Sequence, residues 1–409
     1  MTAGGAHPSA PLSGMRVVEG SAFVAAPSGG MALARLGAEV IRFDPVEGPL
    51  DGGRWPLAPS GTSLFWTGMN KGKKSIRVDL RQPEGRELVT ALISAPGADA
   101  GIFLTNFPAR GWLSFDELKR HRSDLIMIEL QGNSDGSSEV DYTVHPATGF
   151  PWATGPSYVN EPTNSLLPSW DLLLGAQAAM AILAADRVRS RTGVGDLIQI
   201  ALSDVAFATV GDLGRIAQAE LGGSDTSRDG NYLYGSFGHD FLTSDGRRLM
   251  VVALTNRQWE SLKRVTATEE RFAELAVFLR EDLETEGGRY RSREFIASVL
   301  RPWFARHTLA QLRQVLAGTG VSWGPYQTFD QLVREDSRCS ADSPVFERID
   351  QPGVGKVLTP RSPMRWRSTQ APGPLRAPQP GEHTDEILAT VLGLTAQQIG
   401  SLRDQGVVA

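Results

Sequence analysis

The sequence predicts an α/β protein, with a large domain on a doubly wound parallel sheet and a smaller α+β domain beside it. Three observations carry this. The apolar runs "MRVVEG" and "VIRFDP" enclose a helix of small residues, "SGGMALARLGAE", which is the pattern of a βαβ unit. The same alternation of apolar run and helical spacing then recurs several times. After residue 221 the texture changes to a Gly, Ser, Asp and Tyr-rich stretch that leads into a different succession of elements.

Taken in order, the Gly/Ala helix after the first strand can lie close on a sheet because it carries no bulky side chains. "EGRELVTALISAPGA" has helical spacing, "DAGIFLTN" reads as a buried strand, "SFDELKRHRS" as a short amphipathic helix with Ser114 as its cap, and "DLIMIELQG" as another strand. A long small-residue helix is expected from Asp171 to Arg191, then a strand turning into a helix in "GDLIQIALSDVAFATVGDLGRIAQAEL". "RRLMVVAL" is a strand of the smaller domain, and "TNRQWESLKRVT", "SREFIASVLRPWFARH" and "LAQLRQVLAGTG" are its amphipathic helices. A Pro-rich tail, closed by the short helices "DEILATVLGL" and "TAQQIGSLRDQG", has little core of its own and must lie across another surface. The expected organisation is therefore residues 1–221, 222–326 and 327–409, the last being a strap that completes the large domain.

The 409 residues, 41% hydrophobic and 21% charged, are ordinary globular material with enough chain for a sizeable core. A net charge of −5 leaves no basic footprint for nucleic acid. Cys339 is the only cysteine, which excludes an internal disulfide and fits a reducing cytoplasm. No basic-then-apolar leader and no run of about 18 apolar residues is present, so a cytoplasmic protein without a membrane partner is expected. The nucleotide fingerprints G-x-G-x-x-G and G-x-x-x-x-G-K-[ST], and the hydrolase elbow G-x-S-x-G, are missing. The six histidines are scattered without metal-ligand spacing. Neither a metal nor a nicotinamide is expected, and the chemistry left is that of carboxylates.

Asp171 stands where the long helix begins. An aspartate there caps unpaired backbone N–H groups. The positive end of the helix dipole also keeps it ionised, so it can serve as a nucleophile, and the residues alone leave both readings open. "GMNKGKKSIRVDLR" gathers Lys71, Lys73, Lys74, Arg77 and Arg81 in one segment, either a solvated loop or a cradle for an anionic ligand. Asn106 and Arg110, in "TNFPARGW", follow a predicted strand at its C-terminal end, where ligands bind in open α/β sheets. His383 reads as part of a helix start.

Several segments together resemble the family III CoA-transferases: "PLSGMRVVEGSAFVAAPSGGMALARLGAEVIRFDP", "NKGKKSIRVDLRQPEGRELV", "TNFPARGW", "WDLLLGAQAAMAILAADRVRSRTGVGDLIQIALSD", "VSWGPYQT" and "PGEHTDEIL". They follow the family's order along essentially the whole chain. The resemblance implies that Asp171, in D-x-x-x-G with Gly175, is the catalytic nucleophile. It implies CoA contacts at Val24 and Ala25, at the basic segment including Lys73 and Arg81, at Asn106, Phe107 and Arg110, and at Gln131 and Gly132. It also implies a homodimer of two interlocked rings, with an acyl-CoA as substrate and no separate cofactor.

Racemases of that family place a histidine before an aspartate about thirty residues ahead of the nucleophile. Here Asp141 matches the aspartate, Val140 stands in place of the histidine, and His145 lies four residues on. "GSSEVDYTVHPATGFPWATGP", "GDLGRIAQAEL" and "GNYLYGSFGHDF" resemble instead a branch that moves CoA from the C1 to the C4 carboxyl of mesaconate within one molecule. That branch implies a place in the 3-hydroxypropionate cycle of carbon fixation or in glyoxylate assimilation. On this reading Asn231, Tyr232, Tyr234 and Gly235 line the acyl pocket, and His145, Arg228 or Arg257 holds the spare carboxylate. Intermolecular transfer, as from succinyl-CoA to mesaconate, is the alternative within the family. A racemase using His145 is a further alternative, and a catalytically silent CoA-binding protein with Asp171 only a cap is one from a different class.

Overall fold

The apolar runs become strands of one parallel sheet, and part of the basic segment, "KSIR", joins them as a further strand. In the computed structural model, which describes residues 10–223 and 228–409, these are β1 (Arg16–Gly20), β2 (Glu39–Asp44), β3 (Lys74–Arg77), β4 (Ile102–Thr105), β5 (Ile126–Gln131) and β6 (Leu197–Ala201). Their order is β3-β2-β1-β4-β5-β6 and every pairing is parallel. The register sets Val17 opposite both Val40 and Ile102. The order reverses between β1 and β4, and a sheet wound in two directions opens a crevice beyond the C-terminal ends of those strands.

Small residues determine how the layers close. The helix Ala25–Ala34 follows β1, and the long helix runs Ser169–Thr192. The two cross so tightly that a Cβ on Gly29 would meet the Gly175 carbonyl oxygen at 2.8 Å, and one on Gly175 would meet the Ser28 hydroxyl at 2.0 Å and the Ala25 carbonyl oxygen at 2.5 Å. The glycine of D-x-x-x-G is thus a packing requirement that brings Asp171, one turn earlier, up to the start of the first helix.

Compact packing divides the chain into two units: Met1–Thr148 with Leu166–Leu221 and Ser337–Ala409, and Gly149–Ser165 with Gly222–Asp336. These boundaries differ from those expected from composition. Residues 149–165 group with the second unit, and that unit continues past Tyr326 through the helix Phe329–Glu335, which Arg247 holds by a 2.9 Å bond from Nη2 to Glu335 Oε2. Within the second unit β7 (Phe237–Leu242), β8 (Arg248–Ala253) and β9 (Ser322–Pro325) form an antiparallel sheet, covered by helices around Trp259, Phe241 and Phe304.

The C-terminal segment belongs to the first unit. It contains a hairpin, β10 (Phe346–Gln351) and β11 (Gly355–Pro360), which the Pro-rich composition did not suggest. Ile387, Leu388, Ile399, Val407 and Val408 then enter the same buried cluster as Ile41, Phe43 and Ile76. The backbone follows the side chains: His383 N donates to Ser75 O (2.9 Å) and Val408 bridges to Val78. No helix among the described residues is long and apolar enough to cross a membrane.

Candidate active site

The crevice foreseen by the strand order is a cleft of about 610 Å³ in the first unit, and Asp171 lies in its wall. Its floor comes from the C-terminal ends of three strands: Phe23–Ala25 after β1, Asn106 after β4, and Gln131 at the end of β5 with Gly132 beyond it. The loops are stitched to one another. Ala22 N donates to Asn106 Oδ1 (3.0 Å) while Asn106 Nδ2 donates to Ala22 O (2.8 Å), and Thr105 Oγ1 donates to Gly20 O (2.8 Å). Gly132 admits the next segment closely, because a Cβ there would stand 2.2 Å from Glu139 N.

Asp171 is not the cap of its helix. The helix begins two residues earlier, at Ser169. The N–H groups of Trp170 and Asp171 both donate to Asp141 Oδ2, at 2.8 and 3.1 Å, so a buried aspartate thirty residues upstream satisfies the helix start. That relieves the Asp171 carboxylate of any structural hydrogen bond among the described residues. Burial, reinforced by the Asp141 charge and opposed by Arg54, pushes its carboxyl up to about 6. Such a group is largely ionised at neutral pH yet more basic than an ordinary carboxylate, as a nucleophile should be.

The expected CoA contacts divide. Val24, Ala25, Asn106, Gln131 and Gly132 line the cleft with Asp171. The helix Ala25–Ala34 starts there with no side chain capping its first N–H groups. The basic segment does not join them. Lys73 is buried just before β3, donating to Glu19 Oε1 (2.6 Å) and Asn70 Oδ1 (3.0 Å), with burial lowering it to about 8. Lys71 caps carbonyls of Thr67 and Gly68, and Lys74 pairs with Glu39 and Glu386. Arg81 is exposed and paired with Asp79 and Glu47. Phe107 and Arg110 lie on the surface loop after β4, outside the cleft wall.

The expected acyl-pocket side chains have partners of their own in the structure. The His145 ring accepts the indole N–H of Trp170 at Nδ1 (3.1 Å), beside the helix start, and is not among the residues that line the cleft. Asn231, Tyr232, Tyr234 and Gly235 belong to the second unit. There Asn231 donates to Asp240 (2.9 Å), and Tyr232 donates to Glu294 (2.9 Å) and stacks on His239. Tyr234 packs edge-on to Tyr290, and Gly235 turns the chain at φ +80°. Arg228 is occupied by the carbonyls of Val159, Glu161 and Thr154. The residue that sequence reasoning missed is Arg54, in the cleft wall beside Phe23 and Phe65. Its one signal was position, in the loop "DGGRWP" after β2.

Comparison with known proteins identifies the family. The CoA-transferase family III model matches residues 12–384. A 2-methylfumaryl-CoA isomerase of Chloroflexus aurantiacus is 52% identical, over 97% of this chain and 98% of that protein. The succinyl-CoA–D-citramalate CoA-transferase of the same organism is 27% identical over 98% of this chain and 99% of its own length. The succinyl-CoA:mesaconate CoA-transferase of Haloarcula hispanica is 26% identical over 92% and 95%. Among solved structures, a CAIB/BAIF family protein from Brucella suis superposes with a TM-score of 0.76 at 26% identity, covering 94% of this chain and all of that one. With the family model spanning residues 12–384 and a relative 52% identical over 97% of the chain, the chain belongs to CoA-transferase family III.

Proposed function

We propose that this protein is an intramolecular CoA-transferase that converts 2-methylfumaryl-CoA (mesaconyl-C1-CoA) to 3-methylfumaryl-CoA by moving CoA between the two carboxyls of one mesaconate. The observation that carries the reading is the 52% identity, end to end, with the 2-methylfumaryl-CoA isomerase, against 27% and 26% with the two intermolecular transferases. The unengaged carboxylate of Asp171 in the cleft supports it.

Asp171 attacks the C1 thioester carbonyl and expels CoA thiolate, leaving a mixed anhydride. The thiolate attacks the aspartyl carbonyl of that anhydride and releases the C1 carboxylate, which carries away one oxygen that began on Asp171. The product of this half is an enzyme thioester beside bound mesaconate. Mesaconate then attacks the thioester through C4, forming the second anhydride, and the thiolate closes on C4. Asp171 is regenerated with one oxygen from the C4 carboxylate. Holding both fragments replaces an encounter by an intramolecular step. Backbone N–H groups at the uncapped start of the helix Ala25–Ala34 face the developing oxyanions, and the helix dipole favours the charge.

The proposal extends to an interlocked homodimer in the cytoplasm, acting in the 3-hydroxypropionate cycle or in glyoxylate assimilation. Incubating purified protein with mesaconyl-C1-CoA and isotopically labelled free mesaconate tests it. Unlabelled C4 thioester should accumulate without label entering either thioester. Label in the product, or no conversion until another acid is supplied, would instead identify an intermolecular transferase.

A further inference from the structure

An intramolecular transfer confines a second, unreacted carboxylate in the cleft while the first is attacked, and the cleft is already acidic. Asp171, Asp141 and Glu139 all line it, and Arg54 is the only cationic side chain among its described lining residues. Asp141 is committed to the helix start and Glu139 accepts from Asn133 Nδ2 (3.0 Å). No carboxylate of the described residues lies within ion-pair distance of Arg54. Its guanidinium carbon instead stands 5.2 Å from the centre of the Phe23 ring and 4.8 Å from that of Phe65. Aromatic faces hold a guanidinium through its plane and leave the N–H fork at its edge available, the geometry in which arginine binds a carboxylate by two parallel bonds.

The support beneath Arg54 is built into the fold. Phe23 adopts φ +68°, a left-handed conformation that costs a non-glycine residue about 1 kcal/mol or more. It is held there by donating its N–H to Asp51 Oδ2 (2.9 Å). Asp51 is fully buried, accepts from Arg42 Nη2 (2.7 Å) at its other oxygen, and accepts the Arg54 N–H at its carbonyl (3.2 Å). One buried aspartate thus fixes both the strained aromatic residue and the backbone that carries the arginine. Strain maintained in this way is characteristic of binding sites.

We infer that Arg54 is the specificity residue of the cleft, binding the carboxylate of the dicarboxylic acyl group that is not bonded to CoA or to Asp171. This rests on the proposed activity for the identity of the acyl group, and it makes a free second carboxylate the feature that distinguishes substrate from simple acyl-CoA thioesters. After the first half-reaction the same contact holds mesaconate in place while its two ends exchange roles.

The test uses binding, so that it does not depend on turnover. In an Asp171→Asn background, calorimetry compares mesaconyl-C1-CoA with 2-methylbut-2-enoyl-CoA of the same double-bond geometry, which carries a methyl where the C4 carboxylate stands. Adding Arg54→Gln should weaken the dicarboxylic thioester by about 10- to 100-fold, the range for a charge-assisted hydrogen-bonded pair, and the methyl analogue by less than about threefold. Arg54→Lys, which keeps the charge but not the fork, should fall between. Equal weakening of both ligands, or none, in both variants would overturn the assignment. If the wild-type protein fails to isomerise mesaconyl-C1-CoA, the activity proposal fails on that observation, and the discrimination by Arg54 is still read from binding alone.

Discussion

Asp171 and Asp141 are two carboxylates at one helix start with separate tasks. Asp141 satisfies the helix N-terminus through two N–H bonds, and its charge, together with burial, keeps Asp171 basic. The nucleophile must be ionised, so kcat/KM should fall about tenfold per pH unit below about 6, where Asp171 takes up its proton. Folding carries the opposite sign. A carboxyl raised from 3.8 to about 6 binds its proton more tightly when folded, so the ionised group destabilises the protein above pH 6 and the penalty disappears as pH falls towards 4. Asp171→Asn should therefore abolish turnover while melting higher than wild type at pH 7, with the gap closing at pH 4; a lower Tm at pH 7 would contradict the burial account. Asp141→Asn retains an acceptor for the helix but loses the charge, so the acid limb should move to lower pH. An unmoved limb would show that the Asp141 charge is not felt at the nucleophile. The sequence made Asp171 conspicuous but assigned it the wrong structural task, because its cap comes from a tertiary contact thirty residues away. Lys73 was misplaced for the same reason: its partner Glu19 is 54 residues distant, and a run of lysines ordinarily marks a solvated surface.

At the scale of elements, strands buried on both faces announce themselves by consecutive apolar residues, as VV, IFL and IMI do in "RVVEG", "IFLT" and "IMIELQ", and these are read correctly for that reason. The tail is different. Its glycines and prolines suggested an extended strap, yet the hairpin β10–β11 turns through the sequence "PGVG", whose sheet pairing only the folded chain reveals. Helix contacts carry the site. Ser28, Gly29 and Gly175 let the helix bearing the nucleophile meet the helix whose open N-terminus faces the cleft. Gly175→Ala would force a Cβ against the Ser28 hydroxyl and the Ala25 carbonyl, and overpacking of this kind costs about 1–3 kcal/mol. The expected result is a lower urea midpoint together with a loss of kcat beyond what reduced folding explains, since separating the helices moves Asp171 from the oxyanion donors. A variant with wild-type stability and turnover would refute the role given to this crossing.

For the whole molecule, one sheet unit assembled from both ends of the chain supplies the floor of the cleft, and the proposed relay asks a single carboxylate to serve two anhydrides in turn. Family membership was legible in the sequence because its motifs run through the sheet, the long helix and the C-terminal segment. The acyl-binding side was not, because Arg54 sits in a short loop without a pattern and acquires its place through Asp51, Phe23 and Phe65. The central claim is that Asp171 itself relays CoA and trades oxygens with the substrate. It is tested most directly with mesaconyl-C1-CoA carrying two oxygen-18 atoms on the C4 carboxyl, followed by mass analysis of the peptide that contains Asp171. Single turnover should place one heavy oxygen on Asp171 and leave one in the new C4 thioester carbonyl. Complete isomerisation with both heavy oxygens absent from Asp171 would contradict a covalent relay through this residue.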